Sequence, residues 1–78
     1  LAIEILSDYS VYRDTIQKKR LYARFGVKEY WIVIPEEEEI EVYILKGEAY
    51  QLYKTYTKVD ILEAPSLKGL KIGLKEIF

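Results

Sequence analysis

Three charged residues near the start of the chain, Glu4, Asp14 and Lys18, stand where apolar ones would be cheaper. Glu4 interrupts the apolar run LAIEILS. In a strand it shares a face with Ala2 and Leu6, while Leu1, Ile3 and Ile5 take the other. The continuous apolar flank predicts a strand covered on both faces, as in parallel sheets. A carboxylate there must be paired, protonated or metal-bound. The plain alternative is an edge-strand glutamate facing water. Asp14 and Lys18 are spaced i,i+4, which on a surface is an ordinary helical ion pair of a few tenths of a kcal/mol. Their neighbours Val11, Tyr22 and Phe25 predict partial burial instead, where an ion pair seldom gains net stability. Groups held in place without a stability gain are candidates for chemistry.

Residues 1–35 position these groups as strand, helix, strand. Residues 7–10, SDYS, hold three good N-cap residues, so a helix is expected from a Ser10 cap to about Phe25, with Gly26 as its C-terminal stop. At about 100° per residue, Val11, Leu21, Tyr22 and Phe25 form the arc facing the sheet, with Asp14 and Lys18 inside it. Tyr12, Ile16 and Ala23 make a second apolar flank. Arg13, Gln17, Arg20 and Arg24 share the opposite arc; the arginines could touch phosphates but read as a solvated face. Residues 28–35, KEYWIVIP, form an unbroken apolar run ended by Pro35, the pattern of a central strand. The link between the strands suits a right-handed parallel crossover.

The acidic run 36–39 reads as a solubilising turn. Residues 40–46 and 49–57 alternate around Gly47–Glu48, an antiparallel hairpin. Its tyrosines at 43, 50, 53 and 56 could stack on single-stranded nucleic acid, but with only Lys46 and Lys54 nearby, cross-strand packing explains them better. Residues 58–78 give a short strand, a Pro65–Ser66 turn and a last apolar stretch in which Leu70, Ile72 and Leu74 alternate.

Composition narrows the chemistry. Seventy-eight residues, half of them hydrophobic and a third charged, make one small globular domain. A net charge of −1 gives no global pull toward nucleic acid or anionic membranes. With neither cysteine nor histidine, disulfides, thiolate sites and imidazole bases are excluded, and any metal must be a hard cation on oxygen ligands, Mg²⁺ or Mn²⁺. No apolar run approaches the roughly 20 residues that span a bilayer, so a cytoplasmic protein without membrane contact is expected. Leu1 opens inside an apolar run and reads as an interior residue of a longer parent.

The spacing of Glu4-Ile5-Leu6-Ser7, Asp14, Lys18, Tyr22, Gly26-Val27, Glu29-Tyr30-Trp31 and Pro35 resembles the Uma-two family of bacterial restriction-endonuclease-like proteins, within the PD-(D/E)xK nuclease superfamily. Pro65-Ser66-Leu67-Lys68-Gly69-Leu70 and Ile77-Phe78 resemble that family's C-terminal end. The resemblance implies that Glu4 is the acidic Mg²⁺ ligand of the (D/E)xK strand. Leu6 stands in the usual lysine's place, and Lys18 on the helix takes over its role, orienting the attacking water or stabilising phosphorane charge. Asp14 would hold Lys18, and Tyr22 would be a supporting or a core residue. Asp8 replaces the proline usual after the family's strand serine. The family's other metal-binding aspartate would lie upstream of Leu1.

The expected fold is therefore α/β, a mixed sheet with one parallel strand–helix–strand crossover followed by antiparallel strands, the C-terminal part of an endonuclease-like core. Two functions follow. In one, the chain holds part of a Mg²⁺-dependent DNA endonuclease site and is inactive alone; in the other, it is a non-catalytic folding or oligomerisation module. A first strand without an upstream neighbour leaves N–H and C=O groups unpaired, which predicts a homo-oligomer joined through residues 1–7 or the uncovered face of their sheet.

Overall fold

The computed structural model describes residues 1–78. Four strands form one sheet in the order β1 (Ala2–Ile5), β2 (Glu29–Ile34), β3 (Glu39–Lys46), β4 (Ala49–Thr57). β1 runs parallel to β2, pairing Glu4 with Ile32, and the other neighbours are antiparallel. The expected mixed sheet with a single parallel crossover is what forms. A separate antiparallel pair, β5 (Ile61–Glu63) and β6 (Lys71–Gly73), precedes a 3-10 turn at Leu74–Glu76.

β2 is central and its side chains divide by parity. Tyr30, Ile32 and Ile34 meet Leu6, Tyr43, Val11, Tyr12 and Tyr22 under the single helix, α1 (Thr15–Arg24). Trp31 on the other face meets Ile40, Val42, Tyr56, Leu62, Ala64 and Leu74. The unbroken apolar run of β2 follows from this double cover.

β1 departs from the expected pattern. Ala2 and Glu4 are half-buried on the helix side, but Ile3 is 49% and Ile5 68% exposed on the other. The β5–β6 layer sits over β2 and β3 and does not reach the edge strand, so β1 is covered on one face only.

The helix also begins differently. Asp8, not Ser10, is the cap: its carboxylate accepts from the Ser10 backbone N–H at 2.7 Å and from the Ser10 hydroxyl. Tyr9–Asp14 form a 3-10 turn before α1 starts. A 3-10 turn adds about 20° of rotation per residue relative to an α-helix, so the buried arc becomes Tyr12, Thr15, Lys19 and Tyr22. Leu21 and Phe25, expected to face the sheet, are 46% and 76% exposed, and Ile16 of the second flank is 52% exposed. The C-terminus is as expected. Gly26 takes φ 71°, with Gly26 N–H donating to Ala23 and Val27 N–H to Tyr22, the paired closure of a Schellman end.

The acidic run does more than solubilise. The Glu36 carboxylate accepts from Tyr9 N–H at 2.8 Å, tying the end of β2 to the start of the 3-10 turn. No helix is long and apolar enough to cross a membrane.

Candidate functional site

Glu4 leaves β1 on the helix side, and Lys18 descends from the first turns of α1 to meet it. Lys18 Nζ donates to Glu4 Oε1 at 2.5 Å, with the two side chains 45% and 21% exposed. The hydrogen bond to Glu4, ahead of an opposing desolvation, holds the Lys18 ammonium above the ordinary lysine range. Lys18 is therefore a cation at neutral pH, suited to attract or stabilise negative charge rather than to take up a proton.

A cleft of about 250 Å³ opens beside this pair, between the end of β1 and the 3-10 turn, lined by Glu4, Ser7, Val11, Asp14, Thr15 and Lys18 among others. Asp14 thus shares the cleft with Glu4 and Lys18. The expected Asp14–Lys18 ion pair is absent, however, because the ammonium is turned to Glu4. Asp14 reaches it only as a weaker through-space influence. Both Asp14 and Lys18 are exposed rather than partly buried; the 3-10 start rotates them to the rim of the helix.

The donor set suits a hard divalent cation by type: two carboxylates, a serine hydroxyl and no softer ligand. By number it falls short, since no group of three carboxylate or imidazole ligands gathers here or elsewhere. Glu4 Oε2 stays free of the lysine contact.

Two polar arrangements went unseen in the sequence. Tyr12 and Tyr43 hydroxyls both donate to Glu41 Oε1, at 2.5 and 2.7 Å, and Lys19 Nζ sits 3.9 Å from the Tyr43 ring centroid. Desolvation, then the hydrogen bond to Glu41, pushes the Tyr12 hydroxyl up to about 12. Burial pulls the Lys19 ammonium below the usual lysine range, with Glu41 opposing. This cluster seats the 3-10 turn on β3 through the Tyr12 hydrogen bond and α1 on β3 through the Lys19 cation–π contact. The seven-residue spacing of Tyr12 and Lys19 was its available signal. The second is Glu29, fully buried and accepting from Trp31 Nε1 at 2.5 Å and from Ser66 N–H at 2.7 Å.

The chain matches no curated protein. A family model described as "Putative restriction endonuclease" matches residues 1–75, nearly the whole chain. The chain belongs to this family, Uma2.

Proposed function

We propose that the chain supplies part of a Mg²⁺-dependent DNA endonuclease site, formed by Glu4, Asp14 and Lys18, and that it does not cleave DNA by itself. In this reading the four-stranded sheet and α1 are the C-terminal part of a restriction-endonuclease-like core. The observation that carries it is the 2.5 Å contact between Lys18 and Glu4 at the mouth of a polar cleft, in a chain of a nuclease-like family. Glu4 is the carboxylate offered to the cation and Asp14 the second within the cleft. Lys18 places a positive charge where a phosphodiester would build up negative charge. When bound, Mg²⁺ would neutralise phosphate charge and acidify a water. Two carboxylates leave it short of protein ligands, hence the inactivity of the chain alone.

Mg²⁺ titration followed by backbone amide spectra tests this. Shifts should concentrate at residues 4–7 and 14–18, saturate in the millimolar range and vanish in Glu4→Gln, while supercoiled plasmid stays intact. Shifts centred on the acidic run 36–39 would overturn the site. Plasmid cleavage that Glu4→Ala removes would overturn the inactivity.

One observation favours a second reading, a non-catalytic oligomerisation module. The edge strand β1 presents Ile3 and Ile5 to solvent beside an unpaired backbone edge.

A further inference from the structure

We infer that the sheet face opposite α1 carries a separate binding surface for single-stranded nucleic acid, with Tyr53 as its stacking ring and lysines as its phosphate contacts. Three of the four hairpin tyrosines are consumed by the fold. Tyr43 is buried and bonded to Glu41, Tyr50 donates to the Val27 carbonyl at 2.5 Å, and Tyr56 is buried and donates to the Glu63 carbonyl at 3.3 Å. Tyr53 differs. Val42 pairs with Lys54 and Tyr43 with Leu52, so Tyr53 is the extra residue of a β-bulge, and it stands 56% exposed. Bulges commonly re-aim a side chain out of the ladder.

What surrounds Tyr53 gives the partner its chemistry. Three shallow clefts of about 340 to 370 Å³ meet at Pro65 and are edged by Lys28, Lys46, Lys68 and Lys71. The only acidic residue among their walls is Glu63, and it is already 3.6 Å from Lys71. The chain as a whole holds 12 basic and 13 acidic residues, so four lysines to one glutamate is a local segregation of charge. An exposed ring among lysines matches the stacking and backbone attraction by which unpaired strands are held. A duplex would offer phosphates but no open base face, and an apolar protein surface would gain nothing from the lysines. The surface lies across the sheet from Glu4 and Lys18, so this inference stands independently of the proposed catalytic role.

Fluorescence anisotropy of the 78-residue chain with labelled dT12, rU12 and a 12-base-pair duplex tests it. Saturable binding of dT12 or rU12, at least tenfold tighter than of the duplex, is expected; a preference between the two says whether DNA or RNA is the natural strand. Tyr53→Ala should weaken binding about tenfold and Tyr53→Phe should keep it. The dependence of log affinity on log salt should have a slope of about −2 to −3, falling by about 0.7 for Lys68→Ala. In the unsubstituted chain, oligonucleotide-induced amide shifts should centre on Tyr53, Ser66 and Lys68, a readout that needs no variant to fold. Tyr53→Ala should leave Mg²⁺-induced shifts at residues 4–7 unaltered, which separates this surface from the cleft. Absence of saturable binding, equal affinity for duplex, or shifts centred on α1 would overturn the inference.

Discussion

The backbone N–H of Ser66 donates to the carboxylate of Glu29 across 2.7 Å, between residues 37 positions apart. The same carboxylate takes the Trp31 indole N–H at 2.5 Å, and no part of Glu29 reaches solvent. One buried carboxylate thus fastens the turn after β5 to the central strand, on the face away from α1. Burying a charge is tolerable where hydrogen bonds replace its water.

Removing that carboxylate strands the buried Trp31 indole donor and releases the Ser66 N–H to solvent. Glu29→Ala should cost about 2 to 4 kcal/mol, from roughly 1 to 3 kcal/mol for the stranded indole donor and about 1 kcal/mol for the lost hydrogen bond to Ser66. Glu29→Gln, which keeps one acceptor oxygen, should cost less. Urea unfolding followed by emission of Trp31, the chain's single tryptophan, measures both, and equal midpoints for Glu29→Ala and the parent chain would refute the fastening role.

Tyr30 makes the opposite case. Its ring packs between Tyr22 and Tyr50, with centroids 5.3 and 5.7 Å away. Its hydroxyl is buried without a hydrogen-bond partner. Tyr30→Phe keeps the ring contacts and removes the orphan, so it should raise stability by about 1 kcal/mol. A lower urea midpoint in this variant would contradict the orphan assignment.

Desolvation is the leading cause that raises Tyr12, to about 12, and raises Tyr30, Tyr43 and Tyr50 as well. A group whose folded pKa lies above its unfolded value lends stability that is complete below the unfolded value and lost as pH rises. The unfolded value is near 10, so stability should begin to fall above about pH 10. Absorbance of tyrosinate at 295 nm should show these four ionising only together with unfolding. Ionisation of Tyr12, Tyr30, Tyr43 and Tyr50 in a non-cooperative step, with the fold intact, would refute this.

The open edge of β1 predicts self-association. Sedimentation at micromolar concentration should give a dimer or larger species, and Ile5→Lys should shift it toward monomer, since an outward lysine discourages edge pairing. A parent chain that sediments as a monomer would end the oligomer reading.

Much of the architecture was legible in the sequence. The apolar run of β2, the alternation flanking Gly47–Glu48 and the Gly26 stop each carry a local signal that tertiary packing did not override. Of the cleft, Glu4, Asp14 and Lys18 are all legible as candidates and all line it, but the lysine's partner is Glu4 and not Asp14. A uniform α period from Val11 puts the wrong arc against the sheet, because the 3-10 beginning turns Thr15 and Lys19 inward and Leu21 and Phe25 outward. Glu29 escaped notice because its partners, an indole two residues on and a distant backbone amide, leave no pattern in spacing. The exposure of Tyr53 depends on a bulge, whose extra residue breaks the very alternation used to find strands.

The pairing of β1 with β2 has a kinetic consequence. β2, β3 and β4 can zip outward from tight turns, whereas β1 joins only after the whole helical connection has folded back, and long closures carry the larger entropic cost. With one face bare and one neighbour, β1 is also open to release by local opening. Glu4 belongs to that strand and Lys18 does not, so each detachment pulls the carboxylate away from the ammonium while the rest of the sheet stays folded. The integrity of the cleft therefore depends on the docking of a four-residue strand, and anything that clasps that strand from outside also holds the two charges together.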